Sequence, residues 1–102
     1  MLIIYINMVK LYMIYKNGCF YCDEVKPIIK EFQIKNKSNI EVVYINILGN
    51  EFSDKKYGKV DTVPHFIFEN QGKKKHFDFF DDLHQKRTYN KLVNVLNNIL
   101  NN

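Results

Sequence analysis

The fold is decided by Lys10-Leu11-Tyr12-Met13-Ile14-Tyr15, then Lys16-Asn17-Gly18, then Cys19-Phe20-Tyr21-Cys22, which runs into Asp23-Glu24-Val25-Lys26-Pro27-Ile28-Ile29-Lys30. The first run is β-branched and aromatic and reads as a buried strand over residues 11–15. After the cysteines, Val25, Ile28, Ile29 and Phe32 recur at helical spacing. A helix is therefore expected from residue 23 to about 36, kinked by Pro27. Cys19 and Cys22 are the chain's only cysteines. Where such a pair opens a helix after a strand, its first sulfur sits at the positive helix end, which favours a thiolate. Two-electron thiol–disulfide chemistry is the working expectation. Metal ligation uses the same spacing and is the competing one.

Working outward, Glu41-Val42-Val43-Tyr44-Ile45-Asn46-Ile47 predicts a second strand, parallel to the first, because the intervening helix supplies a crossover. Residues 51–57 read as a short helix. A third strand is expected over 62–69, a turn at Asn70-Gln71-Gly72, and a hairpin partner over 74–79. A last helix spans roughly 88–100, with Leu92, Val93, Leu96, Ile99 and Leu100 as its buried stripe. Phe66, Phe68, Phe77 and Phe79 alternate as strand core. The order β-α-β-α-β-β-α predicts an α/β fold, a four-stranded mixed sheet flanked by helices. Residues 1–9 form either an extra edge strand or an extension, and 10–102 a single domain.

The size fits one core without staples: 102 residues, 46% hydrophobic and 15% aromatic. Two cysteines three apart cannot build the framework of a small secreted domain, so a reducing, cytoplasmic setting is expected. The net charge of +4 comes from lysines scattered over 30–37, 55–59 and 73–75. They form no stripe interleaved with aromatics, which argues against nucleic acid as a partner. Basicity of this kind steers acidic partners. The apolar start, Met1-Leu2-Ile3-Ile4-Tyr5-Ile6-Asn7, is too short to span a membrane and lacks a signal peptide's basic flank. A monomer that engages no membrane is expected. Heavy use of Asn, Lys and Ile beside a single arginine, Arg87, suggests an AT-rich genome, such as that of a large DNA virus or a parasite.

Cys19-Phe20-Tyr21-Cys22 at a strand-to-helix junction, with Thr62-Val63-Pro64 opening a later strand, resembles the thioredoxin superfamily over roughly residues 10–100. The resemblance implies a thioredoxin fold and thiol–disulfide oxidoreductase activity. It also implies a cis bond before Pro64, with the Val63 backbone presented to an extended substrate segment. Pro27, Lys56-Tyr57-Gly58, the Asn70-Gln71-Gly72 turn and Arg87-Thr88 look thioredoxin-like. Met13, however, stands where thioredoxins usually bury an aspartate. Phe20-Tyr21, Lys16 and Thr62-Val63-Pro64 resemble glutaredoxins, which implies glutathione as a cosubstrate. Phe79-Phe80 replaces that family's double glycine, while Asp81-Asp82-Leu83 keeps an aspartate, Asp82, where the glutamyl amine would be met.

On this reading Cys19 is the nucleophile and Cys22 the resolving thiol. Lys16 adds positive charge near Cys19, and Asp23 and Glu24 oppose it if they point inward. Tyr21 covers the substrate side, and Phe20 is a partner contact or a packing residue. His65 is a strand residue, while His76 and His84 lack ligand spacing with the cysteines. The expected partners are a disulfide-containing protein and an electron donor, either a reductase or glutathione, with no bound cofactor or metal. The competing readings are a glutathione-dependent enzyme and a zinc or iron–sulfur module, for which further ligands are missing in the sequence.

Overall fold

β1 (Val9–Tyr15) becomes the central strand because both of its faces are apolar. It pairs in parallel with β2 (Ile40–Asn46), from Val9↔Ile40 to Tyr15↔Asn46. On its other side it pairs antiparallel with β5 (His65–Asn70), Leu11 lying opposite Phe68 and Met13 opposite Phe66. β5 in turn pairs antiparallel with β6 (Lys73–Phe77). The result is a mixed sheet of order β2-β1-β5-β6. The structure, a computed structural model, describes residues 8–47, 52–54, 58–60, 62–77 and 85–101.

Among the described residues two helices flank the sheet, α1 (Phe20–Lys35) and α2 (Gln85–Leu100). Both pack on one sheet face. Val9, Leu11, Met13, Phe66 and Phe68 of the sheet share one buried cluster with Val25, Ile29 and Phe32 of α1 and Leu92 and Leu96 of α2. Phe32 is its hub, meeting Phe68 and Tyr89 edge-on at centroid distances of 6.5 and 6.0 Å. On the opposite face Tyr12, Ile14, Ile47 and Ile67 form a second buried cluster, with the Tyr12 hydroxyl donating to Glu69 Oε1 at 3.0 Å. The α/β thioredoxin-like fold, with its four-stranded mixed sheet, is therefore the one expected.

One expected element is different. Phe52–Asp54 is not helical: it is strand β3, paired antiparallel with β4 (Gly58–Val60) from Phe52↔Val60 to Asp54↔Gly58. Seven residues make a marginal helix on their own. Ser53 and Asp54 are weak helix formers, and the glycine at 58 breaks helical continuity. The other described elements match the expected ones with shifted ends. α1 starts at Phe20 and runs as one helix through Pro27. β5 starts at His65, after Thr62-Val63-Pro64, which lie in a bend. In the last helix Leu92 and Leu96 are buried, with Val93, Ile99 and Leu100 at the margin. The expectations for residues 1–7, Lys56-Tyr57, and residues 78–84, Asp82 among them, lie outside the described residues.

Candidate redox site at the first strand-to-helix turn

The site forms where β1 runs out. Lys16-Asn17-Gly18 turns the chain, and Gly18 takes a left-handed φ of 83°, a conformation that glycine adopts freely. Cys19 is the residue that caps α1. Its backbone is extended (φ −83°, ψ 112°), and its Sγ accepts the Cys22 N–H at 3.0 Å. A sulfur thus takes the place usually held by a serine or aspartate oxygen, satisfying a free N–H of the first turn. The Cys19 carbonyl then accepts the Asp23 N–H at 3.1 Å, starting the helical ladder. Cys19 and Cys22 are joined as a disulfide with their Cα atoms 5.2 Å apart.

The two sulfurs differ in surroundings. Cys22 is fully buried, in the cluster that also holds Met13, Val25, Phe66 and Leu92. Cys19 is half-buried at the edge of the same cluster. Among the described residues the only fully buried polar side chain is Thr88. Met13 therefore leaves the space below Cys22 apolar, with no carboxylate there among those residues.

The second wall comes from the bend ahead of β5. The Val63–Pro64 peptide bond is cis. Pro64 is buried, Val63 is half-buried against both core clusters, and the Val63 carbonyl oxygen lies 4.0 Å from Cys19 Sγ. Cysteines and proline bend, 44 positions apart in sequence, are thus brought together by the β1–β5 pairing. Phe20 and Tyr21 project at the rim, 67% and 43% exposed, with their rings edge-on at 5.5 Å. Lys16 is half-buried beneath the turn, its carbonyl accepting the Cys19 N–H at 3.3 Å. Asp23 and Glu24 are exposed, and Asp23 lies 3.9 Å from Lys26 Nζ.

Two arrangements escape the sequence reading. Lys26 Nζ sits 4.0 Å above the Tyr15 ring, and Tyr15 meets Tyr44 edge-on at 6.5 Å. These residues, with Pro27, Lys30 and Gln33, line an open groove of about 640 Å³ beside the first turn of α1. Partial burial raises the Tyr44 phenol pKa above its ordinary value, keeping it a neutral donor. Separately, His65 Nε2 lies 2.9 Å from His76 Nδ1 across the β5–β6 hairpin. Among the described residues no three His, Cys, Asp or Glu side chains gather as metal ligands.

A thioredoxin-like fold with a Cys-x-x-Cys disulfide at the start of its first helix and a cis-proline bend beside it defines the class of this protein. The chain belongs to the glutaredoxin-like domain family (DUF836), which matches residues 10–96. No curated protein matches the sequence. Among solved structures it is similar to the germline-specific thioredoxin Deadhead (Thioredoxin-1) of Drosophila melanogaster, at 18% identity over 87% of this chain and 82% of that one, with a TM-score of 0.64. It is also similar to a thioredoxin-fold protein from Helicobacter pylori, at 16% identity over 91% and 86% of the two chains, with a TM-score of 0.51. At these identities the likeness is one of fold.

Proposed function

We propose that the protein is a thiol–disulfide oxidoreductase that reduces or exchanges disulfides of other proteins through Cys19 and Cys22. The observation that carries this reading is the asymmetry of the pair: Cys19 caps the helix through its Sγ and is only half-buried, whereas Cys22 is fully buried. The helix end and its N–H groups favour a thiolate at Cys19 once the disulfide is reduced.

In the reduced protein the Cys19 thiolate attacks one sulfur of the target disulfide. A new S–S bond forms to Cys19 and the other target sulfur leaves as a thiolate, which takes up a proton. Cys22, held one helical turn away, then gives up its proton and attacks Cys19 Sγ. That breaks the mixed disulfide and releases the second target thiol. Two electrons have passed to the target, and the protein is left with the Cys19–Cys22 disulfide. An external dithiol, or two monothiols, restores it. The half-buried Val63 backbone, beside Cys19, serves as the edge along which an extended target segment lies, and exposed Phe20 and Tyr21 offer it apolar contact.

Replacing Cys19 with Ser should abolish insulin reduction followed by turbidity, and activity surviving that change would sink the proposal. Membership of the glutaredoxin-like family favours a second reading in which glutathione is the donor. Half-buried Lys16, next to the turn, is then the cation for a glutathione carboxylate, and Asp82 the contact for its amine. Turnover coupled to glutathione and glutathione reductase selects this reading, and turnover coupled only to a thioredoxin reductase rejects it.

A further inference from the structure

Starting from the proposed oxidoreductase reading, we infer that the groove between α1 and the ends of β1 and β2 selects target disulfides with an acidic residue about five positions from the attacked cysteine. The groove lies along the helix that Cys19 caps: its lining begins on α1 at Asp23, the residue after Cys22 in sequence, and continues past Lys26 and Pro27 to Lys30 and Gln33. Its floor is aromatic, made by Tyr15 at the end of β1 and Tyr44, which is 41% exposed. A volume of about 640 Å³ accommodates a few residues of extended chain.

The charges of the groove decide which segment fits. Lys26 is already matched, with Asp23 Oδ1 at 3.9 Å on one side and the Tyr15 ring at 4.0 Å on the other. Lys30, one turn further on, is exposed and has no carboxylate partner among the described residues. Among the described residues the groove therefore presents one uncompensated cation, Lys30, in the same lining as two tyrosines, and partial burial of Tyr44 favours its neutral phenol. A target carboxylate satisfies both, while a basic segment meets a like charge. Whole-chain charge of the same sign, +4, reinforces the preference at the encounter stage.

Helix geometry sets the spacing. Cys19 and Lys30 are eleven positions apart, which along α1 is about 16 Å. An extended chain covers about 3.3 Å per residue, so about five residues separate the attacked cysteine from the carboxylate that meets Lys30.

The test uses short peptides disulfide-linked to a chromophoric thiol, with Glu, Gln or Lys five residues from the cysteine, on its N-terminal side in one set and its C-terminal side in another. In one set, kcat/KM should fall from Glu to Gln to Lys, by about fivefold overall at low salt, in keeping with the modest worth of an exposed ion pair. The spread should collapse near 1 M salt, where the screening length is about 3 Å, and its order should invert in Lys30→Glu. Equal rates across both sets, or a preference that persists in Lys30→Glu, overturn the inference. Binding of the same peptides, with Ser for Cys and a fluorescent label, to the oxidised protein reads the groove without turnover. No Glu-over-Lys preference in that binding overturns the inference as well. Reduction of a small chromophoric disulfide without a peptide reports on the redox reading alone, so the two failures are distinguishable.

Discussion

Cys19 carries two duties that a substitution can separate. As the helix cap it accepts the Cys22 N–H, and as a sulfur it is the proposed nucleophile. Serine caps helices well, so Cys19→Ser should keep its helical circular dichroism and thermal midpoint close to those of the reduced wild type while losing disulfide reduction altogether. A variant inactive only because it unfolds would show both changes. Cys22 is the converse, since it is wholly enclosed by apolar neighbours. Cys22→Ala suits that environment better than a serine hydroxyl would. It should accumulate a Cys19 mixed disulfide with insulin chains or a peptide disulfide, visible as an added mass that reductant removes. No adduct would argue against Cys19 as the attacking sulfur. Phe20, 67% exposed, has little to lose in stability. Phe20→Ala should shift the urea midpoint by less than about 0.5 kcal/mol of stability while raising KM for protein targets. An unchanged KM would leave Phe20 without a part in target contact.

At the scale of elements, Phe32 joins α1 to β5 and α2 through its edge-on contacts with Phe68 and Tyr89. It is fully buried, so Phe32→Ala should cost about 3–5 kcal/mol in denaturant unfolding. A loss below about 1 kcal/mol would mean that the helix pair does not depend on it. The β5–β6 turn shows a backbone effect in isolation. Gln71 and Gly72 both take left-handed φ values, 53° and 82°, and a Cβ on Gly72 would meet nothing within 4 Å. Gly72→Ala should therefore cost only the conformational term, about 1–2 kcal/mol. Most of this architecture was legible in the sequence. β1, α1, β2, β5 and α2 each bury a face long enough to show a period, and Asn70-Gln71-Gly72 marks a turn by its chemistry. β3 and β4 were not legible, because three residues each of mixed polarity carry no period and their pairing is set by contact between them.

Over the whole molecule, the turn that holds the disulfide was legible because the chain's only two cysteines stand three apart at a strand-to-helix junction, with Pro64 ahead of a later strand. The groove was not. Tyr15 and Tyr44 stand 29 positions apart and become neighbours only through the parallel register that sets Met13 beside Tyr44 and Tyr15 beside Asn46. No helix among the described residues is long and apolar enough to cross a membrane. What the molecule does turns on whether its disulfide is a working couple or a fixed staple. Equilibrating the protein in glutathione buffers of stepped potential, with the free thiols of Cys19 and Cys22 counted by alkylation and mass spectrometry, decides between them. A working couple should pass from no free thiols to two in a single two-electron transition between about −120 and −270 mV, the span of thiol–disulfide oxidoreductases. A pair that stays oxidised below about −300 mV, as structural disulfides do, would contradict the proposed function.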